Sequence, residues 1–427
     1  MKTCYFKKDS VLLLKKNSNK TNNKFNKTRI MKPSITPDII YIGQEDSEIR
    51  LFESQYVVPD GMCYNSYLIQ DEKIAIMDTS DPRTLEAWKK DLKAALDGRT
   101  PDYLVIQHME PDHSSGIADV LEMFPDIKIV CSVKASQMMP LYMPGADLEG
   151  KFLTVKEGDT LSLGKHTLTF VMAPMVHWPE VMVTYDSTDK VLFSADGFGK
   201  FGVITSEADD WACEARRYYF NICGKYGGPV STLLKKAAGL EIKQILPLHG
   251  PILRDFDNKE PGYNSLSDAL RLYSIWSSYG VEAEGVFVAY ASIHGCTKEA
   301  AEKLADILKA KGCKKVSVCD LSREDQAEAI EDAFKYGKMV LAASSYDAGL
   351  FPPMYDFIHH LQIKAWQNRE VAIIENGSWA PSAARVMKEM IGTMKNVTIK
   401  GDTVTLRGKM KNSDVPALEA LADAILG

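Results

Sequence analysis

Residues 107–116 read QHMEPDHSSG, which sets His108, Glu110 and Asp112 on alternate positions with a second histidine, His113, directly after them. Imidazole nitrogens and carboxylate oxygens are metal ligands. The preceding YLVIQ has the composition of a strand, and in a continued extended segment His108, Glu110 and Asp112 point to one side. The same residue types also serve loops as turn and capping groups, so this stretch alone does not decide. Three other segments do more. PMVHWPE sets His177, LFSADGFG sets Asp196 and ILPLHGP sets His249 just past an apolar run, each in a loop containing glycine or proline. Strand-end loops are where α/β folds gather side chains from distant parts of the chain, so ligand types at four such ends form a constellation. His166, inside GKHTLTF, reads as a strand residue near a turn.

A second constellation lies near the C-terminus. YASIHGCT, residues 290–297, falls between a strand and a helix, where the amides of Ile293, His294, Gly295 and Cys296 and the hydroxyls of Ser292 and Thr297 can face a phosphate. An ordinary strand-to-helix turn with Thr297 as N-cap is the plainer reading. Two later loops follow buried strands and carry glycine plus an aromatic: SSYDAGLFPP, with Ser344, Ser345, Tyr346, Asp347, Ala348 and Gly349, and ENGSWAPSA, with Asn376, Gly377, Ser378, Trp379 and Ala380. Tyr346 and Trp379 are candidates to stack on a planar ring, or to pack half-buried.

The elements that must position these residues fall into two rhythms. From residue 39 to about 250 short strands predominate, with an amphipathic helix at TLEAWKKDLKAAL, which describes a sheet-rich α/β unit. From about 284 strands and helices alternate, five of each, as in a doubly wound parallel sheet, and YNSLSDALRLYSIWSSYG reads as a helical connector. The predicted division is a disordered Lys/Asn-rich extension over 1–37, a metal-binding unit over 38–262, the connector over 263–283 and a mononucleotide-binding unit over 284–427. The extension contains a single arginine, Arg29, where an organellar presequence would favour several, and its VLLL is short for a secretory signal.

Composition removes other classes. A chain of 427 residues with 45% hydrophobic content needs more than one core. The net charge of −6 supplies no overall basic field for nucleic acid, and no apolar run approaches the roughly 18 residues of a membrane helix. The eight cysteines are scattered and none forms C-x-x-C, which fits a reducing cytoplasm. It also leaves this polypeptide without an iron–sulfur, zinc-ribbon or rubredoxin-type module.

The first constellation resembles the metallo-β-lactamase superfamily, whose usual motif is H-x-H-x-D-H, with Glu110 in place of the second histidine. Three nitrogens and three carboxylates make a harder, more anionic site, suited to a pair of non-haem irons better than to zinc. Together with the second constellation, over roughly residues 38 to 425, the chain is similar to the flavodiiron proteins, or A-type flavoproteins. The resemblance implies an αββα sandwich followed by a flavodoxin-like domain with a five-stranded parallel sheet. It implies two non-haem irons: His108, Glu110 and His177 on one, Asp112 and His249 on the other, and Asp196 between them. His113 stays outside that ligand set, as a hydrogen-bonding neighbour. It further implies FMN held by residues 292–297, 344–349 and 376–380, although Gly295-Cys296-Thr297 departs from the commoner Gly-Asn-Thr and the second loop lacks the usual Asn pair.

The implied activity is reduction of dioxygen to water, of nitric oxide to nitrous oxide, or of both. Rubredoxin or a small reduced cofactor would donate the electrons, and a head-to-tail homodimer or a tetramer would bring one subunit's flavin to its partner's irons. Two other readings stay open. One is a zinc-dependent hydrolase with a fused flavodoxin domain, and the other is a flavodoxin-like electron carrier without enzymatic activity.

Overall fold

The computed structural model describes residues 33–204, 211–255 and 263–427. The short apolar runs pair into two stacked sheets. The first has six strands in the spatial order Ile39–Tyr41, Tyr67–Ile69, Ala75–Met77, Tyr103–Ile106, Lys128–Ser132 and Phe152–Val155. The second has seven, running in sequence order from Thr160–Ser162 through Thr167–Met172, Met182–Asp186, Val191–Phe193, Gln244–Leu246 and Ile252–Arg254 to Tyr263–Asn264. Ile69, Met77, Val105 and Val130 of one sheet meet Leu168, Phe170, Met182 and Phe193 of the other in a shared core. Alternate residues of the first sheet, Leu68, Ile76, Leu104 and Ile129, face outward onto Trp88, Leu92 and Leu96 of helix Leu85–Leu96 and onto Ile117, Val120 and Met139 of two further helices. Those two are Ile117–Met123 and Val133–Tyr142; of the three helices only Leu85–Leu96 is among the elements marked by the sequence pattern. The result is an αββα sandwich.

The C-terminal unit is a parallel sheet in the order Val316–Asp320, Ala283–Ala291, Tyr336–Tyr346, Arg369–Asn376 and Val397–Ile399, with Val404–Leu406 pairing the last long strand further on. Strand Ala283–Ala291 shows why both faces carry helices. Val286, Val288 and Tyr290 pack on one core while Phe287, Ala289 and Ala291 pack on another. The five helices are Cys296–Ala310, Gln326–Lys335, Pro352–Ile363, Ala383–Ile391 and Val415–Leu426. This is the flavodoxin-like doubly wound sheet.

The connector forms helix Leu266–Ser277, capped by the Ser265 hydroxyl, which accepts from the Asp268 amide. Residues 1–32 of the predicted disordered extension lie outside the described residues. Its last part is packed, because Pro33 and Ile35 are buried and Ser34 bridges Ile40.

Helix Trp211–Ile222 joins the two units. Phe220 stacks on Phe334 at 4.1 Å. Arg216, buried, donates to Glu282 at 2.6 and 2.5 Å and pairs with Glu331, while Arg217 donates to Asp325 at 2.7 Å. Arg216→Ala strands two carboxylates in the seam, so it is expected to cost about 3–5 kcal/mol. Denaturant unfolding checks this, and a change below about 1 kcal/mol would show that the pair does not hold the seam.

Candidate metal centre and flavin site

Two of the four ligand-bearing loops leave neighbouring strand ends. Strands Val191–Phe193 and Gln244–Leu246 are parallel with Phe193 opposite Leu246, so the loops carrying Asp196 and His249 depart together. The Leu248 amide donates to the Ala195 carbonyl at 2.9 Å and keeps them in step. The Met182 amide donates to the Gln107 carbonyl at 3.1 Å, which ties the His108 loop of the first sheet to the second. Ala195 (φ 49°) and Met175 (φ 66°) hold left-handed backbone conformations beside ligand positions, a strain that a packed site can sustain.

The extended geometry predicted for His108, Glu110 and Asp112 ends at Ile106. Pro111, whose fixed φ suits a first helical position, opens a short helix over Pro111–Ser114, and Asp112 and His113 lie inside it. The three side chains therefore do not share one face as a strand would present them. They divide between two clusters.

In the first cluster His108 Nε2 lies 3.2 Å from Glu110 Oε2 and 3.3 Å from His177 Nε2. His177 Nε2 lies 3.0 Å from both Glu110 Oε2 and Asp196 Oδ2. In the second, His113 Nε2 and His249 Nε2 are 3.0 Å apart, and each is 3.3 Å from Asp112 Oδ2. Asp196 Oδ1 lies 3.3 Å from His113 Nε2 and 3.8 Å from His249 Nε2. Asp196 thus turns one oxygen toward each cluster. Ligand atoms about 2.0–2.2 Å from one ion sit roughly 3–3.5 Å from each other, which is the spacing found here.

Hydrogen bonding indicates that these contacts are shaped for cations. His249 Nδ1 donates to the Cys63 carbonyl at 2.7 Å, so in the neutral ring Nε2 carries its lone pair inward. His108 Nδ1 is likewise engaged, 2.8 Å from Glu180 Oε1, which also accepts from the Met109 amide at 2.9 Å. Inward-facing imidazole nitrogens in near contact need a cation or a proton between them. Asp196 Oδ1 and both Asp112 oxygens are buried without a hydrogen-bond donor among the described residues. Burial lowers the proton affinity of His108, yet Asp196, Glu110 and Glu180 raise it well above the ordinary imidazole range. His177 is raised to about 9 against its burial by Asp196 and Glu110. Glu110, which burial would raise, is lowered to about 2 by His108 and His177. Two metal ions fit this donor set.

His113 Nε2 lies in the second cluster with Asp112 and His249, but its buried Nδ1, unlike that of His249, has no hydrogen-bond partner among the described residues. Glu180, Tyr218, Tyr64 and Trp178 were not legible as site residues, although Glu180 stands in the same loop as His177, three positions on. Trp178 packs against His108 with ring centres 5.3 Å apart, and Phe52, Tyr218 and Tyr64 surround His249 at 5.4, 5.6 and 5.9 Å. The buried Tyr218 hydroxyl has no hydrogen-bond partner among the described residues. Glu180→Gln keeps the side chain's shape but removes the charge behind His108, so metal affinity is expected to fall about 10–100-fold, measured by competition with a chelator. An unchanged affinity would mean that Glu180 only packs.

His166 precedes its strand by one residue, and its two ring nitrogens lie 3.0 Å from Asp186 and 3.3 Å from Asp38.

The three loops of the second constellation follow strands that are neighbours in the parallel sheet, at the point where strand order reverses. Residues 292–297 turn into helix Cys296–Ala310, with Gly295 at φ 89° and open space where a side chain would lie. The Gly295 amide donates to Ser292 Oγ at 3.1 Å, and Thr297 and Ser344 share a hydroxyl contact of 2.9 Å. The helix's first amides remain available to an anion. Asp347 and Ala348, both left-handed, make the turn between Tyr346 and Gly349. Ser345 Oγ accepts from the Ser382 amide at 2.8 Å, drawing the 344–349 and 376–380 loops together. A side chain at Gly377 would meet Pro381 Cα at 2.7 Å, so only glycine allows that approach. Trp379 is 89% exposed and Tyr346 46%. A phosphate-bearing, flat-ringed mononucleotide fits these loops.

A family model described as "ODP family beta lactamase" matches residues 62–250. A nitric oxide reductase of Moorella thermoacetica is 29% identical over 85% of this chain and 90% of its own length. Among solved structures, rubredoxin oxygen:oxidoreductase of Desulfovibrio gigas superposes with a TM-score of 0.84 at 24% identity, covering 92% of this chain and 97% of that one. The flavodiiron protein of Giardia intestinalis does so with a TM-score of 0.83 at 23% identity, covering 92% and 96%. The two structures speak for the fold.

Proposed function

We propose that this chain, a member of the flavodiiron protein family, is an oxidoreductase that uses FMN and a pair of non-haem irons to reduce dioxygen to water, nitric oxide to nitrous oxide, or both. The observation that carries this reading is Asp196, one oxygen of which faces His108 and His177 while the other faces His113 and His249. When bound, an iron pair supplies electrons and open coordination positions for a diatomic oxidant. His108, Glu110 and His177 would hold one iron, Asp112 and His249 the other, with Asp196 between; the contacts of His113 support adding it to the second group.

The chain's own part is to fix these donors and keep the pocket dry. Glu180 and the Cys63 carbonyl orient two imidazoles, and Phe52, Tyr64, Trp178 and Tyr218 exclude water. FMN would lie on residues 292–297, 344–349 and 376–380 of the unit assigned to 284–427, joined by the connector 263–283 to the metal unit 38–262. No helix among the described residues is long and apolar enough to cross a membrane, and we assign the protein to the cytoplasm. Its donor is proposed to be rubredoxin or a small reduced cofactor, and its assembly a head-to-tail homodimer or a tetramer.

The test is metal analysis of the purified protein with anaerobic turnover of the reduced form, each gas supplied at matched concentration. About two irons per chain, FMN absorbance and consumption of at least one gas are expected. Zinc in place of iron with thioester or phosphodiester hydrolysis would sink this reading, and so would FMN without metal or turnover.

A further inference from the structure

We infer that the strip Arg407–Lys411 is the docking surface for a small acidic electron-carrier protein that reduces the flavin beside it; the inference rests on the FMN reading above. The segment RGKMK exposes Arg407, Lys409 and Lys411 with no acidic residue among them. Among the described residues none of the three side chains forms an ion pair. Val404 and Leu406 are buried and anchor the strip at the sheet edge.

Its position is fixed against the third flavin loop. The Gly377 amide donates to the Leu406 carbonyl at 3.0 Å. Asn376 and Gly408 exchange two hydrogen bonds of 2.8 and 2.9 Å. Trp379 stands three residues beyond Asn376 on that loop, so the strip borders the segment proposed to hold the flavin ring.

Charge gives the sign of the partner. The whole chain carries −6, so an acidic protein is repelled in general and drawn to this strip in particular. These 427 residues contain no C-x-x-C to hold a thiolate-ligated electron donor. Each encounter oxidises the carrier by one electron. Two encounters, with two protons from solvent, convert one bound FMN to its fully reduced form.

The experiment uses the FMN-loaded protein and reduced rubredoxin of net negative charge, with flavin bleaching followed by stopped flow across ionic strength. Wild type should show a bimolecular rate that falls as salt rises. The R407E/K409E/K411E variant should be about 10–100-fold slower at low salt and lose that dependence, while FMN content and reduction by dithionite stay at wild-type values. Wild-type rate and salt slope in the variant would overturn the inference. So would direct reduction of the wild-type flavin by NADPH that the same substitutions abolish, since the strip would then serve a nucleotide's phosphates. Wild-type protein lacking FMN absorbance would fail before any donor is added, which marks failure of the flavin reading itself.

Discussion

Asp196→Ala is expected to cost the protein both metal ions, taking metal content from about two per chain to below roughly 0.5, while FMN content is unchanged. The reason is geometric. Asp196 is 1% exposed, and its oxygens reach His177 at 3.0 Å on one side and His113 at 3.3 Å on the other. Burial alone would raise its proton affinity, but His108, His113 and His177 hold it well below the usual carboxylate range, so the anion is what the site is built around. Alanine leaves four imidazoles turned inward with no shared negative charge. Loss of gas turnover should exceed the roughly 100-fold that removing an outer hydrogen-bond partner costs. The contrast that makes this specific is His249→Ala, which touches one cluster and should spare metal in the other. Elemental analysis of both variants decides: if Asp196→Ala keeps two irons while His249→Ala loses one, the carboxylate does not join the clusters.

How much of this was legible in the sequence varies with the kind of signal. His177, Asp196 and His249 were readable because each follows an apolar run in a loop marked by glycine or proline, and such loops leave the strand ends of one sandwich. The alternation of His108, Glu110 and Asp112 was readable as a pattern but misread as geometry. Proline at position 111 starts a helical turn, and that turn carries Asp112 and His113 away from Glu110 into the second cluster. Glu180, which lies behind His108, and Tyr218, beside His249, were not readable, because packing of the two sheets brings the first there, packing of helix Trp211–Ile222 brings the second, and neither belongs to a ligand-type pattern. In the C-terminal unit the strand and helix alternation was plain, and the continuous apolar run that ends Ala283–Ala291, buried on both faces over residues 286–291, explains why. The last strand proved to be two segments, Val397–Ile399 and Val404–Leu406, because Gly401 at φ 69° turns the chain between them. That interruption sets the basic strip beside the flavin loops.

Glu110→His tests why this site should favour iron over zinc. Glu110 Oε2 lies within 3.0–3.2 Å of two imidazole nitrogens, and its proton affinity is lowered to about 2 although burial opposes the charge. A histidine there has similar reach but brings a neutral nitrogen, so the first cluster becomes three imidazoles with the shared Asp196 oxygen. Three nitrogens and one oxygen suit tetrahedral zinc, whereas a pair of carboxylates on the same ion gives a harder site that stabilises iron through oxidation and reduction. The variant should therefore purify with zinc replacing much of the iron, with gas reduction lowered more than about 100-fold. The flavin spectrum and its reduction by dithionite should be untouched, because residues 292–297, 344–349 and 376–380 belong to the other unit. Metal analysis beside the flavin spectrum separates the effects. A variant that keeps its iron and its turnover would show that metal choice is set elsewhere, and the argument from carboxylate count would fall with it.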